Sequence, residues 1–278
     1  MKSLRAHAAL LGVVATLSAQ VDTLSAQSLP ADEPGSLERL NASPRHGEWV
    51  TVDAGGGDMV RAWIVYPERA DPAPVVVVIQ EIFGLTDWIR NVADQLAADG
   101  YIAIAPDLLS GKGPGGGGSD TVDQQGATAL VRALDQAEVT RRLRATAAYA
   151  TALPAATDQV ASIGFCWGGG QSFALAAGWT DLDAAVVFYG TSPSDQALAG
   201  LRTPVLGLYG EDDARVNATI EPARNTIEVL GGRYETEIYA GAGHGFLRQQ
   251  DGREGANMRA SEQAWPRALA FLRETIGS

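Results

Sequence analysis

The chain has 278 residues, 46% of them apolar and 19% charged, enough for one large core, and no internal repeat or mid-chain linker divides it. Its 33 acidic residues outnumber 21 basic ones, for a net charge of −12, which argues against a nucleic-acid or anionic-membrane surface and is read as a device for solubility. With one cysteine, no disulfide can close within the chain.

Lys2 and Arg5 precede an apolar run over residues 8–17, too short to span a bilayer and of the length of a signal-peptide core. Two copies of Thr-Leu-Ser-Ala-Gln follow, offering cleavage after Ala19 or Ala26. Residues 1–26 are therefore expected to be a signal peptide, which implies export to the periplasm or beyond and no membrane span in the mature chain. Residues 27–47, rich in Ser, Pro and acidic residues, read as a flexible tether, and 48–278 as one domain.

Residues 49–53 and 59–66 form a strand pair joined by Gly55-Gly56-Gly57. Residues 75–79 are five aliphatics in a row, the pattern of a strand covered on both faces. Asp87 is placed to cap a helix carrying Ile89, Val92, Leu96 and Ala97 on one face and ended by Gly100. Residues 101–105 make the next strand. The glycine-rich stretch 111–118 cannot be regular structure and is either a lid or a surface loop. Residues 121–153 are helical with a break near Asp135. Strands follow at 160–165, 184–189, 205–209 and 235–239, with helices at 221–230 and 261–276. Strands alternating with helices predict an α/β fold, a mostly parallel twisted sheet with helices on both faces. Function in such a sheet sits at the carboxyl ends of the strands.

One of those ends carries Gly164-Phe165-Cys166-Trp167-Gly168-Gly169-Gly170, followed by the start of a helix. A strand passing through Gly-x-Cys-x-Gly into a helix has the form of a nucleophile elbow. The turn is too sharp for side chains on its flanks, and it leaves the sulfur exposed near the positive end of a helix. A buried structural cysteine is the competing explanation.

A cysteine nucleophile needs a base. Of three histidines, His7 falls in the signal peptide and His46 in the tether. His244, after the strand at 235–239, remains. The acid that orients it belongs between nucleophile and histidine in chain order. Asp212 and Asp213 compete there, and the register Gly-x-x-Asp-x-x-Val favours Asp213. Glu81, at the end of the valine strand, is either a salt-bridge or helix-start acid or a neighbour of the elbow. The amides of Ile82 and Trp167 are the candidates for an oxyanion hole. Phe83, Trp88 and Tyr189 are also expected to meet substrate.

In five places the sequence resembles the dienelactone hydrolase family. These are Gln80-Glu81-Ile82-Phe83-Gly84, residues 101–108, 164–169, 210–216 and 243–248. The resemblance runs from about Glu48 to the end and implies an α/β-hydrolase fold. It implies a triad at Cys166, Asp213 and His244, a glutamate at Glu81 that helps convert the thiol to thiolate when substrate binds, and no cofactor or metal. It also implies an arginine pair for a substrate carboxylate. Arg248 matches the second arginine, while Gly111 stands where the first belongs, with Lys112 beside it. Lysine brings charge without arginine's fork.

The expected function is a cysteine-dependent hydrolase of small carboxylic esters or lactones, acting as a monomer. A general carboxylesterase or thioesterase is the nearest alternative. A thiol redox sensor and a non-catalytic binding protein are the alternatives outside that class.

Overall fold

The computed structural model describes residues 29–277; the expected signal peptide lies outside them. The sheet has eight strands: β1 (Gly47–Asp53), β2 (Met59–Val65), β3 (Ala73–Ile79), β4 (Ile102–Pro106), β5 (Ala156–Phe165), β6 (Ala184–Phe188), β7 (Val205–Asp212) and β8 (Tyr234–Gly243). Their spatial order is β1-β2-β4-β3-β5-β6-β7-β8. β1 and β2 pair antiparallel, as does β2 with β4, and every later pairing is parallel.

The valine run explains the layering. All seven residues of β3 are buried, and successive side chains point to opposite faces. Val76 and Val78 meet one helical layer, containing α2 (Asp87–Ala98) and α9 (Ala256–Ile276). Val75, Val77 and Ile79 meet the other, containing α4 (Gln136–Thr151), α5 (Trp167–Gly178) and α8 (Ile220–Val229). The α2 stripe Ile89, Val92, Leu96 and Ala97 is fully within the first layer. Thr86, not Asp87, caps that helix, accepting a hydrogen bond from the Ile89 amide. Asp87 is its first residue, where a negative charge suits the helix dipole, and it pairs with Arg90. The break near Asp135 separates α3 (Gln124–Arg132) from α4, and the Asp135 carboxylate caps α4 through the Glu138 amide at 3.0 Å. The remaining short helices are α1 (Ser36–Asn41), α6 (Asp195–Leu198) and α7 (Ala214–Asn217). Among the described residues, no helix is long and apolar enough to cross a membrane.

One expectation needs correction, and one open choice is resolved. The segment expected to be a tether is packed from residue 29 onward. Its α1 lies against α2, and the Pro30 and Ala31 carbonyls accept hydrogen bonds from Gln250, Trp88 and Asn91. Backbone carbonyls do this work, so composition does not reveal it. The glycine-rich stretch resolves as a stitched surface loop. Asp107 accepts from the Ser119 amide at 2.8 Å and from its hydroxyl at 2.6 Å, and Gly113 bonds to Gly117. The loop lines a cavity with Trp49 and Arg61, away from Cys166.

Candidate active site

β5 delivers Cys166 into a backbone conformation that few non-glycine residues adopt, φ 56° and ψ −117°. α5 begins at the next residue. The turn closes because its neighbours lack side chains. A Cβ on Gly164 would stand 2.0 Å from the Gly168 carbonyl oxygen, and one on Gly168 would stand 2.2 Å from that of Gln80. The Cys166 amide donates to Phe188 on β6 at 3.0 Å, which ties the strained residue to the sheet.

The backbone amides of Trp167 and Ile82 both favour the thiolate form of the sulfur. One comes from the first turn of α5 and the other from the loop after β3, so the two flank the sulfur from different elements. The sulfur opens into a cavity of about 470 Å³ whose walls include Ile82, Trp167, Tyr189, Arg132 and Arg215. Tyr189 is fully buried at φ 40°, and its ring meets the edge of His244 at 5.2 Å.

His244 follows β8, and its Nδ1 lies 2.6 Å from Oδ2 of Asp213 at the end of β7. Asp213 is buried. Asp212 is exposed and pairs with Arg253. The one-residue register therefore separates a buried carboxylate that meets His244 from a surface ion pair. His46 stacks on Tyr66 beside Glu48, outside the site.

Glu81 is buried against Arg248, its Oε2 2.7 Å from Nε. Burial pushes its carboxyl up to about 7; Arg248 pulls the other way and the charge of Glu33 adds to the rise. Burial, seconded by the Glu81 carboxylate, pushes the Cys166 thiol up to about 11, while the Trp167 and Ile82 amides and Arg215 draw it back. Cys166 is thus held as a thiol, beside a buried carboxyl group that is itself raised.

The dienelactone hydrolase family pattern matches residues 60–276. The chain belongs to the dienelactone hydrolase family. It is 31% identical over 233 residues to a "Putative carboxymethylenebutenolidase" of Escherichia coli K12, covering 80% of this chain and 84% of that one. It is 33% identical over 249 residues to a protein of the same name from Yersinia pestis, covering 84% and 92%. The crystal structure of a "Putative Dienelactone Hydrolase" from Klebsiella pneumoniae superposes with a TM-score of 0.72 at 30% identity, covering 81% of this chain and 97% of that one. Family membership makes the protein a hydrolase with the α/β-hydrolase fold.

Of Arg248, Lys112, Phe83, Trp88 and Tyr189, all expected to meet substrate, only Tyr189 lines the Cys166 cavity. Lys112 is tied to Glu138 at 2.8 Å and is absent from the walls of the Cys166 cavity, because its loop is stitched down elsewhere. Trp88 is a core residue, 1% exposed, with its ring edge-on to Phe165 and its indole N–H donating to Ala31. Phe83 lies under the Arg248 guanidinium at 5.0 Å and lines a neighbouring cavity with Glu33. Arg248 itself is shared between Glu81 and Glu33. Glu33 and Arg132 carry no sequence signal strong enough to single them out. Arg215 alone could have been noticed, since it stands two residues after Asp213 in the acid turn.

Proposed function

We propose that the protein is a cysteine-nucleophile hydrolase of small carboxylic esters or lactones, with Cys166, His244 and Asp213 as its triad. The observation that carries this reading is the strained Cys166 turn, with two backbone amides that favour its thiolate and the Asp213–His244 pair at the ends of β7 and β8 in the same sheet. In the reading, the thiol gives its proton to Glu81 when an ester enters. The sulfur forms a bond to the carbonyl carbon, and the carbonyl electron pair moves onto oxygen, facing the Ile82 and Trp167 amides. Collapse breaks the carbon–oxygen bond, and the departing alkoxide recovers the proton. His244 then takes a proton from water, and hydroxide attacks the thioester. The acid leaves, and the imidazolium, steadied by Asp213, returns its proton to the sulfur.

Each step uses groups of the chain itself. The names of the relatives support esters and lactones as the substrate class. The N-terminal pattern supports export, where a thiol held protonated until substrate arrives resists oxidation. A panel of lactones, aryl esters and thioesters, assayed with wild type and Cys166→Ala, tests the proposal. Turnover of lactones or oxygen esters that vanishes in the variant is the expected result. Thioesters alone, or activity indifferent to the substitution, would replace it.

A further inference from the structure

The N-terminal segment reaches the surroundings of the thiol through one side chain. Glu33 is fastened to Arg248 twice: its amide donates to the Arg248 carbonyl at 3.0 Å, and its Oε2 accepts from Arg248 Nη1. The segment is pinned on both sides of this contact. Before it, the Pro30 and Ala31 carbonyls accept from Gln250, Trp88 and Asn91. After it, the Ser36 hydroxyl donates to the Glu33 carbonyl at 2.8 Å, and α1 packs on α2. These contacts hold the segment without the Glu33 carboxylate. That side chain is 44% exposed, and an ion pair so exposed adds little stability. Its effect falls on Arg248.

Arg248 stands between two carboxylates and treats them differently. Its Nη1 donates to Glu33, whereas its Nε, 2.7 Å from Oε2 of Glu81, makes no aligned hydrogen bond. The fork is turned toward Glu33, and Glu81 is left with a nearby charge. A carboxylate with an arginine to itself is a weak base, and one that shares its arginine holds a proton more readily. Burial raises the Glu81 carboxyl most, Arg248 lowers it, and Glu33 raises it again. Cys166 after β5 and Tyr189 after β6 also face Glu81, and burial pushes both up, so neither is charged at pH 7. His244, against the Tyr189 ring, is paired with Asp213, and Arg215 on α7 acts on the sulfur. On α2, Asp87 and Arg90 offset each other.

We propose that Glu33 is a positioning residue for the proton transfer at the thiol: it draws the guanidinium fork of Arg248 away from Glu81 and leaves Glu81 free to take the Cys166 proton. The inference rests on the reading of Glu81 as proton acceptor and adds the N-terminal segment to that machinery. Glu33 lines a neighbouring cavity and not the one into which Cys166 opens. No bond changes at Glu33; the proton passes from sulfur to Glu81 as before.

The test is the pH profile of kcat/KM for a neutral aryl ester, which reports the free enzyme's essential base. In wild type the acid limb should fall where Glu81 protonates, at about 7. In Glu33→Gln, Arg248 turns wholly to Glu81, whose carboxyl then protonates at lower pH and is the weaker base. The acid limb should move down by about 0.5 pH unit and the plateau should fall about threefold. Glu33→Asp, which keeps the charge, should restore the limb and most of the plateau. Raising salt to about 1 M should move the wild-type limb toward that of Glu33→Gln, since Glu33 is partly exposed and the buried pair is screened less. Glu38→Gln, which removes an exposed charge from the same segment, should move nothing. A limb that stays in place in Glu33→Gln, with or without a loss of Tm, overturns the proposal, as does an equal shift in Glu38→Gln. If Glu33→Gln does not fold, the wild-type salt series decides, and a limb indifferent to salt overturns it. Normal kcat/KM in Glu81→Gln is a separate failure, that of the proton-acceptor reading, and takes the proposal with it.

Discussion

At pH 7 a thiol pushed up to about 11 is almost wholly protonated, and the causes of that shift suggest how the site is switched on. Burial is fixed by the fold, whereas the Glu81 carboxylate is a removable charge. Removing it takes away a repulsion that opposes the thiolate, so Glu81→Gln should lower the Cys166 pKa. Alkylation by iodoacetamide between pH 7 and 10 should therefore run faster in the variant, while ester turnover falls because the proton acceptor is gone. An unchanged alkylation profile with normal turnover would reduce Glu81 to a structural partner of Arg248. The two aspartates give a second prediction. Asp213→Asn should cost kcat about a hundredfold or more by unsettling the imidazole. Asp212→Asn removes an exposed ion pair with Arg253 and should change kcat less than about fivefold. The reverse ranking in steady-state kinetics would move the triad acid by one residue. Much at this scale was legible. Few histidines left His244 by elimination, and the spacing of the acid turn separated Asp213 from Asp212. Glu33 was not legible, because its meaning comes from a contact with Arg248, 215 residues away.

At the scale of elements, the elbow depends on α5 starting where two backbone segments crowd it. A Cβ on Gly168 would meet carbonyl oxygens of Gln80 at 2.2 Å and Ile79 at 2.5 Å, and backbone cannot rotate away. Gly168→Ala should therefore destabilise the fold by about 2 kcal/mol or more, a fall of roughly 4–8 °C in Tm for a domain of this size. Gly178, at the other end of α5, has nothing within 4 Å of its would-be Cβ. Gly178→Ala should leave Tm unchanged or raise it slightly, by up to about 1 kcal/mol of helix propensity. Equal melting of both variants would show that the close approach is not what shapes the turn. The glycine pattern of the elbow was readable because steric need is written in residue type. The anchoring of residues 30–33 was not, since Pro30 and Ala31 act through carbonyls that every residue possesses. Trp88 likewise looked like a substrate-facing aromatic and is instead the donor that fastens this segment.

For the whole molecule, the sheet was readable from its most buried strand. Five consecutive aliphatics demanded cover on both faces, and the two helical layers supply it. Strand order and the turning of the glycine loop away from the thiol depend on pairing and on the Asp107 network, which periodicity does not encode. The architecture brings the carboxyl ends of β5, β7 and β8 to one edge, where Cys166, Asp213 and His244 follow in chain order. The central claim is that acyl groups pass through the Cys166 sulfur. Intact-mass spectrometry of His244→Ala, sampled after mixing with an aryl ester, tests it most directly, because loss of the base stalls deacylation. The account predicts a single acyl adduct that maps to the peptide containing Cys166 and is absent from the Cys166→Ala protein. An adduct on another residue, or ester hydrolysis that persists in Cys166→Ala with no adduct at all, would contradict it.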